Sequence, residues 1–321
     1  MQHWFQHSLY VFALSLLFGS LHAQEENANA VVAAKVDGQP IYFREIEREV
    51  KKVVKGREIE PAALRMLQAQ ALEQMISRRL ILGFLKSKKL GASDEDIEYA
   101  VEQAKSRLKQ QELTIEQFLR RSGITESDFR QTLAWQLGWN GYLERYVTDE
   151  NLQNYFKKNH KEFDGTQIRV SQILLKVKPD SQASEKAIEK ATQIREEIIS
   201  KKIDFAAAAK NFSDAPSANK GGDIGLISRH EPMPESFSRA SFTLEKGELS
   251  EPIKSSFGVH LIHCVEIKPG QKRWQDVRSE LKVAVTKYLF DWIAEKQRPN
   301  AAIEYTGSAP HFKPGSKEIA D

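Results

Sequence analysis

The sequence predicts an α+β protein: a helical domain interrupted by a smaller domain of antiparallel sheet and surrounding helices. Three observations lead there. Between residues 43 and 160, apolar residues recur at helical spacing, and several of the runs open on a capping signal. From residue 168 the pattern changes to alternation, with strands and helices punctuated by glycine. After Pro269-Gly270 the helical period returns as one long stripe.

The chain begins with an uncharged apolar run at residues 9–19, followed by Ser20-Leu21-His22-Ala23. The run is shorter than the roughly 20 residues that a membrane helix needs. It reads as the core of a signal peptide spanning residues 1–23, cleaved after Ala23, with residues 24–33 as a polar spacer. The other readings are an uncleaved anchor or a buried helix. Residues 34–42 form a hairpin signal, with Asp37-Gly38 between short apolar runs. Residues 43–55 read as a helix. Pro61 opens a long helix to about residue 88, since a first-turn residue has no use for the N–H that proline lacks. Leu64, Leu67, Ala71, Met75, Leu82 and Leu85 mark its apolar positions. Ser93 with Asp96, Thr114 with Gln117, and Thr125 with Asp128 are capping-box spacings that start three further helices. Thr148 with Asn151 starts another, ending near His160.

Residues 168–177 alternate as a strand, and residues 184–201 form an amphipathic helix through Ala187, Ala191, Ile194 and Ile198. Asp204 caps a short helix over 205–212. A glycine turn at residues 221–225, a short amphipathic segment at 234–240, a Gly247 turn and an alternating strand at 258–265 follow. Trp274, Val277, Leu281, Val285 and Leu289 then make a stripe that a lone helix cannot bury. The economical solution is a return to the N-terminal helices, with residues 301–306 pairing with the first hairpin. The expected organisation is thus a helical domain over 34–162, an inserted domain over 166–268, a helix and strand over 270–306 completing the helical domain, and a loose polar tail over 307–321.

Composition narrows the function. The 321 residues carry 47 Lys plus Arg against 44 Asp plus Glu, a net charge of +3. That balance argues against a nucleic-acid partner, which selects a basic face. Cys264 is the only cysteine, so no intramolecular disulfide forms. No cofactor or metal is expected. His260 and His263 point to opposite faces of a strand, and Cys264 lies roughly 13 Å along it from His260. Trp135, Trp139, Tyr142 and Tyr146 form an aromatic stripe that reads either as core or as a surface for unfolded chains.

The pieces Phe212-Ser213-Asp214, Gly221-Gly222-Asp223-Ile224-Gly225, Ser228-Arg229, Ser236-Phe237, Gly247-Glu248-Leu249-Ser250-Glu251-Pro252 and Phe257-Gly258-Val259-His260-Leu261-Ile262 occur in that order. Together with Arg169 to Leu175 they resemble a parvulin-type peptidyl-prolyl isomerase over about a third of the chain. The flanking layout resembles the SurA and PrsA type of exported folding chaperone. The resemblance implies an isomerase and chaperone acting on unfolded, proline-containing exported polypeptides. It implies a periplasmic or otherwise extracytoplasmic location, with no nucleic acid and no stable membrane insertion after signal cleavage.

Carried over by position, the family's polar site falls on Gln172, His260 and Ser255. The Cys or Asp that usually follows the Phe-Ser-Asp segment falls on Ala215, with Asp214 beside it as a candidate substitute. The proline pocket falls on Met233, Phe237 and Ile224. The apolar pocket is therefore kept while two of four polar positions are altered. Gln172 can donate and accept hydrogen bonds but cannot change charge near neutral pH, and Ala215 does neither. The resemblance then implies weak or lost isomerisation, and the alternative is a non-catalytic holdase with a degenerate parvulin domain. For each residue a plainer role stands beside this one: His260 as a hydrogen-bonded core histidine, Gln172 as a partner for backbone groups, Met233 and Phe237 as core, Ser255 as a turn residue, and Asp223 as the tie of its own turn.

Overall fold

The computed structural model describes residues 31–178, 182–313, 315–316 and 318–320. The apolar run at 9–19 and the expected cleavage at Ala23 lie outside the described residues. Contacts divide the chain into two units, Met1–Tyr142 with Phe290–Asp321, and Leu143–Leu289.

In the first unit, β1 (Val32–Val36) and β2 (Gln39–Tyr42) form the hairpin turned by Asp37-Gly38. A late strand, β7 (Ile303–Tyr305), joins the free edge of β1 antiparallel, with Lys35 opposite Glu304. Five helices follow the hairpin: α1 (Phe43–Val54), α2 (Pro61–Ser87), α3 (Asp94–Lys109), α4 (Ile115–Ser122) and α5 (Glu126–Tyr146). Ser93 and Thr114 accept from the backbone of Asp96 and Gln117, whose side chains reach back, so the capping boxes read from spacing close at α3 and α4. Asp128 and Thr125 do the same at α5. Ala34, Val36 and Ile41 of the hairpin pack against Ile46, Leu72, Met75, Ile76 and Leu80.

The aromatic stripe of α5 is mostly core. Trp139 and Tyr142 are buried and stacked, with ring centroids 5.6 Å apart, and Phe290 meets Trp139 edge-on at 6.0 Å. Trp135 is half-buried under the guanidinium of Arg78. The tail, expected to be loose, folds back. Ala309 enters the core of this unit, and the His311 ring stacks on Tyr305 at 4.2 Å. Phe312 and Ile319 form a bridge.

The second unit opens with α6 (Asp149–Phe163), capped by Thr148, and then builds the sheet. Its elements are β3 (Gln167–Leu175), α7 (Gln182–Ile199), α8 (Phe205–Phe212), β4 (Asp223–Ser228), α9 (Glu235–Thr243), β5 (Ile253–Ser255) and β6 (Gly258–Lys268). The strand order is β4-β3-β6-β5, all antiparallel. Alternation along β6 sorts the core. Val259 and Leu261 face Ala187, Ala191 and Ile194 of α7 and Phe205, Ala208 and Ala209 of α8. Ile262 and Cys264 face Phe237 and Phe242 of α9. The strands β4 and β5 were not resolved from sequence. The first is buried in a glycine-rich turn motif and the second is only three residues long.

The last helix, α10 (Arg278–Gln297), departs from expectation. Val277, Leu281 and Val285 pack on Leu152 of α6, with Tyr155, Phe156 and Phe163 around them. The whole stripe, from Trp274 to Leu289, thus packs inside the second unit, and the chain returns to the first only from Phe290 onward. A stripe says that an apolar partner exists, and α6 supplied a nearer one.

Candidate functional site

Three side chains meet on the α9 face of the second sheet because of strand register. Gln172 pairs with Ile262, and His260 lies two residues earlier on the same face of β6. Ser255 pairs with Gly258 on the other side, two residues before His260. Both contacts are therefore diagonal cross-strand neighbours, within reach of long or ring side chains. Gln172 Oε1 lies 3.0 Å from His260 Nδ1, and Ser255 Oγ lies 2.6 Å from His260 Nε2. The backbone N–H of Phe257 donates to Ser255 Oγ at 3.0 Å.

The chemistry of these partners orders the protons. With a carboxamide oxygen facing Nδ1, His260 must donate there. Its Nε2 is then an acceptor for the Ser255 hydroxyl, which in turn receives the Phe257 N–H. His260 is 2% exposed and Gln172 is 8% exposed. Burial drives the imidazole pKa down to about 4, because the charged form loses its hydration. The chain Gln172–His260–Ser255 is therefore neutral at physiological pH.

Around this polar chain the apolar residues differ in access. Phe237 is fully buried, and its ring meets the His260 ring edge-on at 5.2 Å. Met233 and Ile224 are partly buried against the same cluster. Phe237 is thus a packed support beneath the site, and Met233 and Ile224 keep exposed surface beside it.

Asp214 is not part of the group. Its exposed carboxylate accepts from the backbone N–H of Lys176 at 2.8 Å, and its own N–H donates to Leu174 at 2.7 Å. Ser213 Oγ accepts from Leu174 and Ala215. The Phe-Ser-Asp segment therefore stitches the end of β3, which is the physical reason that Asp214 does not replace the polar side chain missing at buried Ala215.

Other motif residues prove to be braces. Asp223 accepts from Gly225 N–H, tying its turn, and also from Arg169 at 2.6 Å, which lowers its pKa below the usual carboxylate range. Gly247, Ser250 and Glu248 trade backbone hydrogen bonds with Cys264 and Ile262, and Ser250 Oγ accepts from Ile262. Gly222, just before β4, lies close against β3: a Cβ there would fall on the Gln172 carbonyl oxygen. Arg229 and Glu235 were missed as a pair. Arg229 is 7% exposed, and its guanidinium makes two hydrogen bonds, 2.8 and 2.9 Å, to Glu235, whose pKa they hold at about 2. Spacing alone could have hinted at this, since Arg229 and Glu235 flank the Met233 turn. Among the described residues, no group of three or more His, Cys, Asp or Glu could hold a metal.

Comparison with known proteins gives two family matches. Residues 173–266 match the PPIC-type PPIase domain, or rotamase, and residues 1–143 match the SurA-like N-terminal domain. The foldase protein PrsA of Bacillus subtilis (strain 168) is 27% identical over 236 residues, covering 74% of this chain and 69% of its own. The chaperone SurA of Alkalilimnicola ehrlichii is 28% identical over 294 residues, covering 84% of this chain and 64% of its own. The crystal structure of the peptidylprolyl isomerase PrsA from Bacillus anthracis is 23% identical, with 71% of this chain and 96% of that chain covered at a TM-score of 0.35. The chain thus spans about two thirds of the length of the curated relatives it matches.

Proposed function

We propose that this chain, which joins a SurA-like N-terminal domain to a PPIC-type peptidyl-prolyl isomerase domain, is a folding chaperone of exported proteins that isomerises X-Pro bonds weakly. The observation that carries the reading is the buried, neutral chain Gln172–His260–Ser255 beside the partly exposed Met233 and Ile224. Rotation about an X-Pro bond crosses an amide-resonance barrier of about 18–20 kcal/mol. Neither nucleophile nor metal is needed to lower it. Binding the twisted amide better than either planar form suffices, and a dry apolar edge that holds the prolyl ring disfavours the polar planar resonance form. In this reading Met233 and Ile224 take the ring, Phe237 supports His260 from beneath, Gln172 fixes its tautomer and Ser255 donates to its Nε2.

Gln172 keeps the hydrogen bond to His260 that a histidine would make, and Ala215 leaves the family's remaining polar position empty of donors and acceptors. A low turnover follows. The test is the cis-to-trans rate of a proline tetrapeptide with the purified protein and an active control. A small acceleration, raised by Gln172→His and lost in Met233→Ala, is expected. No acceleration at enzyme concentrations well above those of the control would overturn isomerisation and leave the second reading.

That second reading, favoured by Ala215 and Gln172, is a holdase whose parvulin-like segment grips chains without turnover. It predicts that a variant lacking residues 168–267 still suppresses aggregation of an unfolded client. Protection by the excised segment alone, with none from the remainder, would reverse the division of labour.

Its clients are proline-containing unfolded polypeptides. That the sheet-bearing segment is inserted into the helical frame is supported by the addition of β7 to β1, with α6 and residues 270–289 grouped with the sheet rather than with that frame. The location is extracytoplasmic, periplasmic in a cell with two membranes, supported by the signal-like run before Ala23. No described helix is long and apolar enough to cross a membrane. Fractionation of the cell, with N-terminal sequencing of the mature chain expected to begin at Gln24, tests this; recovery of the intact N-terminus from the cytosol would refute it.

A further inference from the structure

The last turn of α6 lies ahead of the segment that matches the isomerase family, yet it reaches both ends of α9. At the start of α9, Arg229 makes its paired hydrogen bonds to Glu235, the first residue of the helix. The Nε of the same guanidinium faces Glu162 of α6 at 3.3 Å, an ionic contact without hydrogen-bond alignment. At the other end, Lys161 Nζ donates to the carbonyl of Leu244, the residue that closes α9, at 3.4 Å and pairs with Glu245 at 2.7 Å. Two adjacent residues of α6 thus grip opposite ends of one nine-residue helix.

That helix sets the apolar side of the candidate site. It carries Phe237, whose ring meets His260, and Ser238, whose hydroxyl donates to the Met233 carbonyl at 3.5 Å. Exposed ion pairs contribute little, but Arg229 is buried and its planar fork fixes direction as well as distance. A buried guanidinium with one carboxylate removed cannot recover that solvation without moving, and α9 moves with it.

We propose that the last turn of α6 clamps α9, Glu162 through Arg229 and Lys161 directly. Lys161, Glu162 and Arg229 are then positioning residues for the prolyl edge, and two of them lie outside the family match. This rests on the proline-site reading above. The experiment uses the full chain carrying Lys161→Met with Glu162→Gln, and separately Lys161→Arg as the conservative control. Amide hydrogen exchange is read at α9, β3 and β6, and proline-tetrapeptide binding by titration.

The clamp predicts that α9 amides exchange about tenfold faster in the double variant while β3 and β6 amides keep their rates. The peptide dissociation constant should rise about fivefold in the same variant, and Lys161→Arg should match wild type in both. Unchanged α9 exchange, uniform acceleration across the sheet, or a loosened α9 with wild-type peptide affinity each overturns the clamp. A wild-type protein that neither binds nor isomerises the peptide brings down the proline-site reading and the positioning role together. That result differs from failure of the clamp alone, in which wild-type binding persists and the variants equal it.

Discussion

His260 concentrates the residue-scale physics. Its folded pKa, about 4, lies below that of an exposed histidine, so between those values the unfolded chain binds the extra proton. The stability it contributes is fully present above pH about 6.5 and is lost as pH falls through the folded pKa near 4, with a total of roughly 3 kcal/mol at stake. Denaturant midpoints of the second unit should therefore drop on acidification from pH 7 to 4, and His260→Gln should flatten that slope. The same neutrality predicts an isomerisation rate that does not vary between pH 6 and 9 on account of this group; a bell-shaped profile would contradict the assignment. Ser255 is the second handle. Ser255→Ala removes the donor to His260 Nε2 and the acceptor of Phe257 N–H. The expected cost is about 1–3 kcal/mol in urea unfolding, with Ser255→Thr, which keeps the hydroxyl, recovering most of it.

Among the elements, β4 shows why the glycines cannot be exchanged for one another. Gly222 and Gly225 both have positive φ, +83° and +79°. Any side chain costs about 1 kcal/mol there from backbone conformation alone. A Cβ at Gly225 meets nothing within 4 Å, whereas one at Gly222 strikes the carbonyl of Gln172. Gly225→Ala should therefore lower stability by about 1 kcal/mol, and Gly222→Ala by more than about 3 kcal/mol, with β4 displaced from β3. Thermal melts of the two variants side by side check this; equal effects would mean that β3 and β4 do not approach as closely as described. The helices tell a simpler story. Caps at Ser93, Thr114, Thr148 and Asp204 sit where spacing put them, because a cap is a local bond between residues three apart.

At the scale of the whole molecule, the first and last described strands meet. β7 extends the first hairpin, and the hydroxyls of Thr306 and Ser308 both donate to the Val32 carbonyl. With Ala309 in the core, removal of residues 307–321 should lower the melting temperature of the first unit by about 2–4 °C and leave the second unchanged. A loose tail would give no shift. The two units can be told apart in such a melt by the tryptophans, since Trp135 and Trp139 belong to the first and Trp274 to the second.

By itself the sequence determined what depends on neighbours along the chain. Helix starts, the Asp37-Gly38 turn, the alternation of β6 and the residues facing one another across it follow from backbone periods and short-range bonding, and the motif order brought Gln172, His260 and Ser255 together on paper. Tertiary structure alone decided which surface each apolar stripe covers, because burial rewards any apolar partner and carries no address. Hence Leu281 lies on Leu152. For the same reason Phe237 is sealed beneath the site while Met233 stays open, and Asp214, one residue from the expected position, spends its carboxylate on the backbone of Lys176.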